Sequence, residues 1–136
     1  MKSLVYFLII STNLVTLSNP TKLDVDFFFK QTKANSNRRI ESKAHVFVDA
    51  NGMATLECGV DSDFILNFNV QDQNGTEVKI RTEIFDGATL IAKPVITIPY
   101  NQKGVIEIGT NGANAESSEF SLSIIPSQEI LEPLEN

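Results

Sequence analysis

Apolar and polar residues alternate with a period of two through most of this chain, the pattern of strands with one buried face. The pattern is cleanest from Phe64 to Phe85, where F-I-L-N-F-N-V-Q-D and T-E-V-K-I-R-T-E-I-F meet at Asn74-Gly75. Asn-Gly between alternating runs is a strong hairpin signal, because a tight hairpin turn needs left-handed backbone at both central residues. Phe64, Leu66, Phe68 and Val70 share one face of the first strand, and Val78, Ile80, Thr82 and Ile84 one face of the second. The outward set (Asn67, Asn69, Glu77, Lys79, Arg81 and Glu83) reads as solvated polar groups.

The same period appears upstream. In Leu23 to Lys30, Leu23, Val25, Phe27 and Phe29 lie on one face, with Asp24, Asp26, Phe28 and Lys30 on the other. Phe28 is out of phase, either covered by a neighbouring element or exposed as an anchor for a partner. Gln31 to Ser42 has no evident period and is expected to be a loop. Ala44–Val48 and Met53–Cys58 flank Asp49-Ala50-Asn51-Gly52, so a second hairpin is expected, with Gly52 left-handed and Val48 opposite Met53. The two turns share a pattern, D-A-N-G and D-Q-N-G.

Downstream, Leu90 and Ile91 start a short strand and Val95 to Tyr100 forms another. Pro94 and Pro99 cannot donate to a ladder, which makes this segment edge-like or bulged. Val105–Gly109 and Phe120–Ile125 are further strands, the latter with Phe120, Leu122 and Ile124 inward. Thr110 to Glu119 is expected as a loop, and the tail from Ser127 to Asn136 as a frayed acidic end.

No helical period extends beyond one turn. The spacing therefore predicts an all-β fold: a small two-sheet antiparallel β-sandwich of seven to nine strands, immunoglobulin-like in geometry but without the disulfide. A small barrel fits the same spacing. The expected organisation is a signal peptide over residues 1–18, an N-terminal strand and basic arm over 19–43, a sandwich core over 44–126 and a flexible tail over 127–136.

Composition sharpens this in three ways. First, Met1-Lys2 followed by L-V-Y-F-L-I-I, with Thr16 and Ser18 before a cut at Asn19, reads as an export signal. The expected location is secreted, periplasmic or cell-surface, with no stable membrane span after signal removal. Second, the net charge of -6 is unevenly spread. Residues 19–43 carry six basic and three acidic side chains, whereas residues 44–136 carry four basic and fourteen acidic. Nucleic acid is a poor partner for such a body. Third, Cys58 is the sole cysteine, which excludes an intrachain disulfide and a cysteine metal cluster; a buried, inert thiol is expected.

Catalytic patterns are absent. His45 is the one histidine; it is expected as a half-buried strand residue, opposite Leu56 and out of line with Cys58. No nucleophile elbow or phosphate-binding glycine loop occurs. Asp61 and Asp63, in a turn near Glu57, are the residues a calcium ion would use, but the twelve-residue calcium loop is missing. No cofactor is called for. Asn74-Gly75-Thr76 is a glycosylation sequon at an accessible tip.

These features point to an exported, non-catalytic sandwich that binds a protein partner or associates with itself. Phe28, Tyr100, Arg38 and Arg39 are the candidate binding residues. The alternatives are a carbohydrate- or matrix-binding surface module, disfavoured by the absence of Trp, and an inhibitor or chaperone of an exported protein.

Overall fold

The computed structural model describes residues 20–49, 51–111 and 116–128. Nine strands follow one another there: β1 (Thr21–Lys33), β2 (Ser36–Val48), β3 (Met53–Cys58), β4 (Phe64–Gln73), β5 (Glu77–Asp86), β6 (Thr89–Ala92), β7 (Val95–Pro99), β8 (Gly104–Asn111) and β9 (Ser117–Gln128). They form two antiparallel sheets, an immunoglobulin-like sandwich without a disulfide. One sheet has the order β2-β1-β9-β8. The other has the order β3-β4-β5-β6, and β7 also pairs with β5. The expected signal peptide at residues 1–18 lies outside the described residues, as does the tail beyond Gln128.

Alternation is the physical cause of the packing. Leu23, Val25 and Phe27 of β1 are buried, as are Phe64, Leu66, Phe68 and Val70 of β4, while their sequence neighbours turn outward. Val78, Ile80, Thr82 and Ile84 of β5 are buried as the pattern predicts. Phenylalanines join the layers. Phe64 lies 4.6 Å from Phe29 and 5.5 Å from Phe27, centroid to centroid, both tilted, and Phe27 also meets Phe120 at 6.3 Å. Tilted rings at such spacing gain from their quadrupoles beyond the area they bury.

At the β4–β5 tip, Asn74 and Gly75 both take positive φ, 60° and 74°, and the Thr76 N–H closes the turn on the Gln73 carbonyl at 3.2 Å. Asp72 fastens it, its Oδ1 accepting the Gly75 N–H at 2.7 Å.

Three expectations are corrected. Gln31 to Ser42 is not a loop: β1 runs to Lys33, turns at Ala34-Asn35, and returns as β2 from Ser36. Its inner row is Arg38, Ile40, Ser42, Ala44, Val46 and Val48, so a period of two is present but written largely in polar or small residues. The register Phe29↔Ile40 and Val25↔Ala44 supplies the ladder that makes this a strand. Second, Asp49–Gly52 does not close a hairpin. β2 pairs with β1 in one sheet and β3 with β4 in the other, so the segment carries the chain between layers. His45 consequently faces Asp24, not Leu56. Third, the left-handed residue of that turn is Asn51, with φ 61°, rather than Gly52.

The two similar turns meet in space. The Asn51 side-chain oxygen accepts the Asp72 N–H at 3.2 Å, and the Gly52 carbonyl accepts the Val70 N–H at 2.9 Å.

β6 and β7 divide the free edge of β5 between them, with a register shift at Ile84/Phe85. Between them the Thr82 N–H donates to the Pro94 carbonyl at 2.9 Å. The two prolines are thus confined to an edge, as expected. Gly104 opens β8 where a Cβ would sit 2.6 Å from Ile98 Cδ1, so the bare backbone there lets β7 close onto β8.

Candidate functional site

The four candidate binding residues do not form one site. Arg38 and Arg39 are neighbours on β2 and therefore point to opposite faces. Arg38 turns inward at the end of the sandwich. Its two terminal nitrogens reach the two carboxylate oxygens of Asp86 at 3.1 and 3.3 Å, and its guanidinium lies 5.5 Å from the Phe29 ring centre and 5.4 Å from that of Phe64. β2 and β5 belong to different sheets, so this fork ties the layers together over the aromatic core. Both terminal nitrogens and its flat face are already engaged.

Arg39 stands on the outer face, over the Phe28 ring at 5.1 Å and near Glu41 at 3.6 Å. Phe28 is half-buried under it, between the covered and exposed alternatives that its phase allowed. On its other side Phe28 borders a depression of about 260 Å³ with Glu107, Ile108, Gly109, Glu119 and Ser121. This hollow lies across β1, β9 and β8, because Phe28↔Ser121↔Glu107 and Lys30↔Glu119↔Gly109 are rows of one face. The missing side chain of Gly109 helps to leave it open.

Tyr100 is at the far end. Its hydroxyl donates to Asp72 Oδ2, and the side chains of Thr21 and Gln128 also bond to it. Burial, the hydrogen bond to Asp72 and the charge of Asp72 push its phenol from the ordinary 10.0 up to about 12, against smaller opposing contributions from Thr21 and Gln128. A phenol so engaged is a clasp between sheets rather than a platform.

Asp63 shares an open hollow of about 670 Å³ beside the β2 edge with Arg38 and Arg39. Among the described residues, no group of three or more His, Cys, Asp or Glu side chains is arranged to hold a metal ion. Asp61, Asp63 and Glu57 do not form such a group. The Asp63 carbonyl instead accepts the Gly87 N–H at 2.9 Å, pinning two turns together.

His45 is exposed on the outer face beside Asp24, not half-buried. Cys58 is buried as expected, at the inner face of β3; burial pushes its thiol up, partly offset by a hydrogen bond with Ser42 of the opposite sheet. His45 and Cys58 lie in different sheets. No helix among the described residues is long and apolar enough to cross a membrane.

Residues with no shared signal in the sequence also come together. A groove of about 360 Å³ crosses the outer face of the five-stranded sheet, with Asn67, Asn69, Arg81, Glu83, Lys93 and the apolar Met53 and Val95 around it. These side chains look like any solvated strand face in the sequence; only cross-strand register assembles them, through Met53↔Asn69↔Arg81↔Val95 and Asn67↔Glu83. No protein-family model matches this chain, and comparison with curated proteins finds no match.

Proposed function

We propose that this is an exported, non-catalytic β-sandwich that binds a protein partner by accepting one of its strands at the edge of β8 that has no neighbouring strand among the described residues. The observation that carries this reading is a difference between the sheet edges. β2 lines its edge with Arg39, Glu41 and Lys43 on the outer face, β3 is six residues long, and β6 and β7 are short and separated by a proline. Charges, short length and proline are the usual protections of an edge. β8 has eight residues, no proline and no lysine, and Val105 and Ile108 on it are 48% and 39% exposed. The Phe28 hollow adjoins it and offers a partner side chain a place beside an aromatic ring and two carboxylates. A strand added there would gain backbone hydrogen bonds for affinity and this hollow for selectivity.

The test uses the protein without its leader. Peptides selected from a random display library are mapped by amide chemical shifts, and solution mass is followed from micromolar to millimolar. Peptides or self-association that shift Gly104–Asn111 amides, and are lost in Ile108→Lys, support the proposal. Binding that maps elsewhere overturns it, as does a monomer that selects nothing.

A further inference from the structure

We propose that the groove on the outer face of the five-stranded sheet is a second binding site, for a saccharide bearing carboxylates. Its charge is out of keeping with the rest of the body. Residues 44–136 contain four basic side chains against fourteen acidic ones, yet three of the four, Lys79, Arg81 and Lys93, are on or beside this face. Arg81 and Lys93 line the groove itself. Lys79 is in the same outward row of β5, two residues from Arg81. Glu77 and Glu83 stand in that row too, but Glu83 is the one carboxylate among the groove's lining residues, so the groove carries one more cation than anion within a body of strongly negative charge.

The cations are also uncommitted. Arg38 is engaged with Asp86, Arg39 with Phe28 and Glu41, and Lys43 with Asp26; among the described residues Lys30, Lys33, Lys79 and Lys103 are as free as the groove's cations, but none of them lines it. Among the described residues, Arg81, Lys93 and Glu83 have neither an ion pair nor a hydrogen bond with another side chain. Their donors and acceptors face solvent in a concave place.

The remaining groups define the ligand. An arginine fork suits a carboxylate, and a lysine adds charge without demanding a fixed angle. Asn69 and Asn67 add amides that both donate and accept, Asn67 being oriented by the Thr55 hydroxyl, which donates to its side-chain oxygen at 2.8 Å. Glu83, directly across from Asn67, can only accept when ionised. Amides plus a carboxylate acceptor match the hydroxyls of a sugar ring, while the cations match an acid on it. Met53 and Val95, 73% and 56% exposed at the two ends of one cross-strand row, present apolar surface to a ring face in place of an aromatic platform. A groove of 360 Å³ is at the small end for ligand sites, which suits one or two sugar rings. An acidic peptide carries the same charge but brings few hydroxyl donors for Glu83.

The experiment titrates the full chain with a panel of uronic-acid trisaccharides that differ in epimer and linkage. Each is paired with its methyl ester, tetraglutamate serves as the peptide arm, and backbone and side-chain shifts are recorded to about 10 mM ligand, the range of weak sites. At least one acidic trisaccharide is expected to shift Asn67, Asn69, Arg81 and Glu83. Its ester and tetraglutamate should bind about tenfold more weakly or not at all, and Arg81→Gln should cost about tenfold. Both Arg81 and Lys93 are exposed, so their replacement leaves the core intact. Equal binding of acid and ester, equal or tighter binding of tetraglutamate, shifts confined to another surface, or no shift with any member of the panel would overturn the proposal.

Discussion

At one end of the sandwich Arg38 of β2 forks onto Asp86 of β5 and lies over the rings of Phe29 and Phe64. At the other end Tyr100, just past β7, donates to Asp72 of β4, and Thr21 and Gln128 of the opposite sheet bond to it as well. Both arrangements close an open end of a two-layer core, where the sheets would otherwise expose apolar residues to water. The first joins the layers by charge and by stacking on the aromatic cluster. The second joins them through one neutral hydroxyl whose acidity is lowered, and it is reinforced by backbone, since the Asn101 N–H donates to the Pro126 carbonyl at 2.6 Å. Two residues that resemble binding groups in the sequence, Arg38 and Tyr100, thus help to close the fold.

The arginine end depends most on the ring beneath it. Phe64→Ala removes the ring under Arg38 and leaves a cavity between the sheets, for an expected loss of about 3–5 kcal/mol in urea unfolding. A loss below about 1 kcal/mol would mean that the aromatic cluster does not join the layers.

Arg38→Ala is expected to cost about 1–2 kcal/mol, from the fork and the stacking together. The side chains of Arg38 and Asp86 remain 36% and 30% exposed, so solvent screens the pair and the effect stays below that of a fully buried one. Arg38→Lys should recover less than half of it, since an ammonium cannot form the fork. Full recovery by lysine would assign the effect to charge alone and remove the geometric half of the comparison.

The smallest effect belongs to the other end. Tyr100→Phe should cost about 1 kcal/mol at neutral pH, and the two ends should differ in their response to base. The folded phenol holds its proton more tightly than the unfolded one, with a value of about 12 against 10.0. Between those values the unfolded chain carries fewer protons, so stability falls as pH rises. The contribution of Tyr100 is therefore complete below pH 10 and lost on approach to 12. The difference in ultraviolet absorbance between the protein and Tyr100→Phe, titrated in the folded state, should have its midpoint well above 10. A midpoint at 10 would show that Asp72 and burial do not hold the proton.

Legibility in the sequence followed how much information a pattern needs. Periodicity in β4 and β5 required only local sequence, because every second residue is strongly apolar and the Asn-Gly tip fixes the turn. In β2 the same alternation is diluted by Arg38, Ser42 and Ala44 on the inner row, so the strand disappeared from view although its geometry is regular. The turn at Asp49–Gly52 is legible in the sequence as a turn, but its role as a link between sheets is not. An apolar face says that a strand packs on a core and does not say from which layer. His45 was displaced for that reason, gaining Asp24 as neighbour instead of Leu56. The groove of Asn67, Asn69, Arg81, Glu83 and Lys93 was illegible for a third reason: its members lie on separate strands, and each alone is an ordinary outward polar residue.

The all-β class, the clearest hairpin, the buried faces of β1, β4, β5 and β9, and the edge position of the proline-bearing segment are all written in local sequence. These follow from side-chain period and backbone chemistry, which act over a few residues. Which strands share a sheet, that Arg38 and Tyr100 seal opposite ends, that β8 has β9 alone as a neighbouring strand among the described residues, and that Arg81 and Lys93 meet in one groove are matters of tertiary structure. Those outcomes depend on strand order and register, which are set by packing two sheets against each other across long sequence separations.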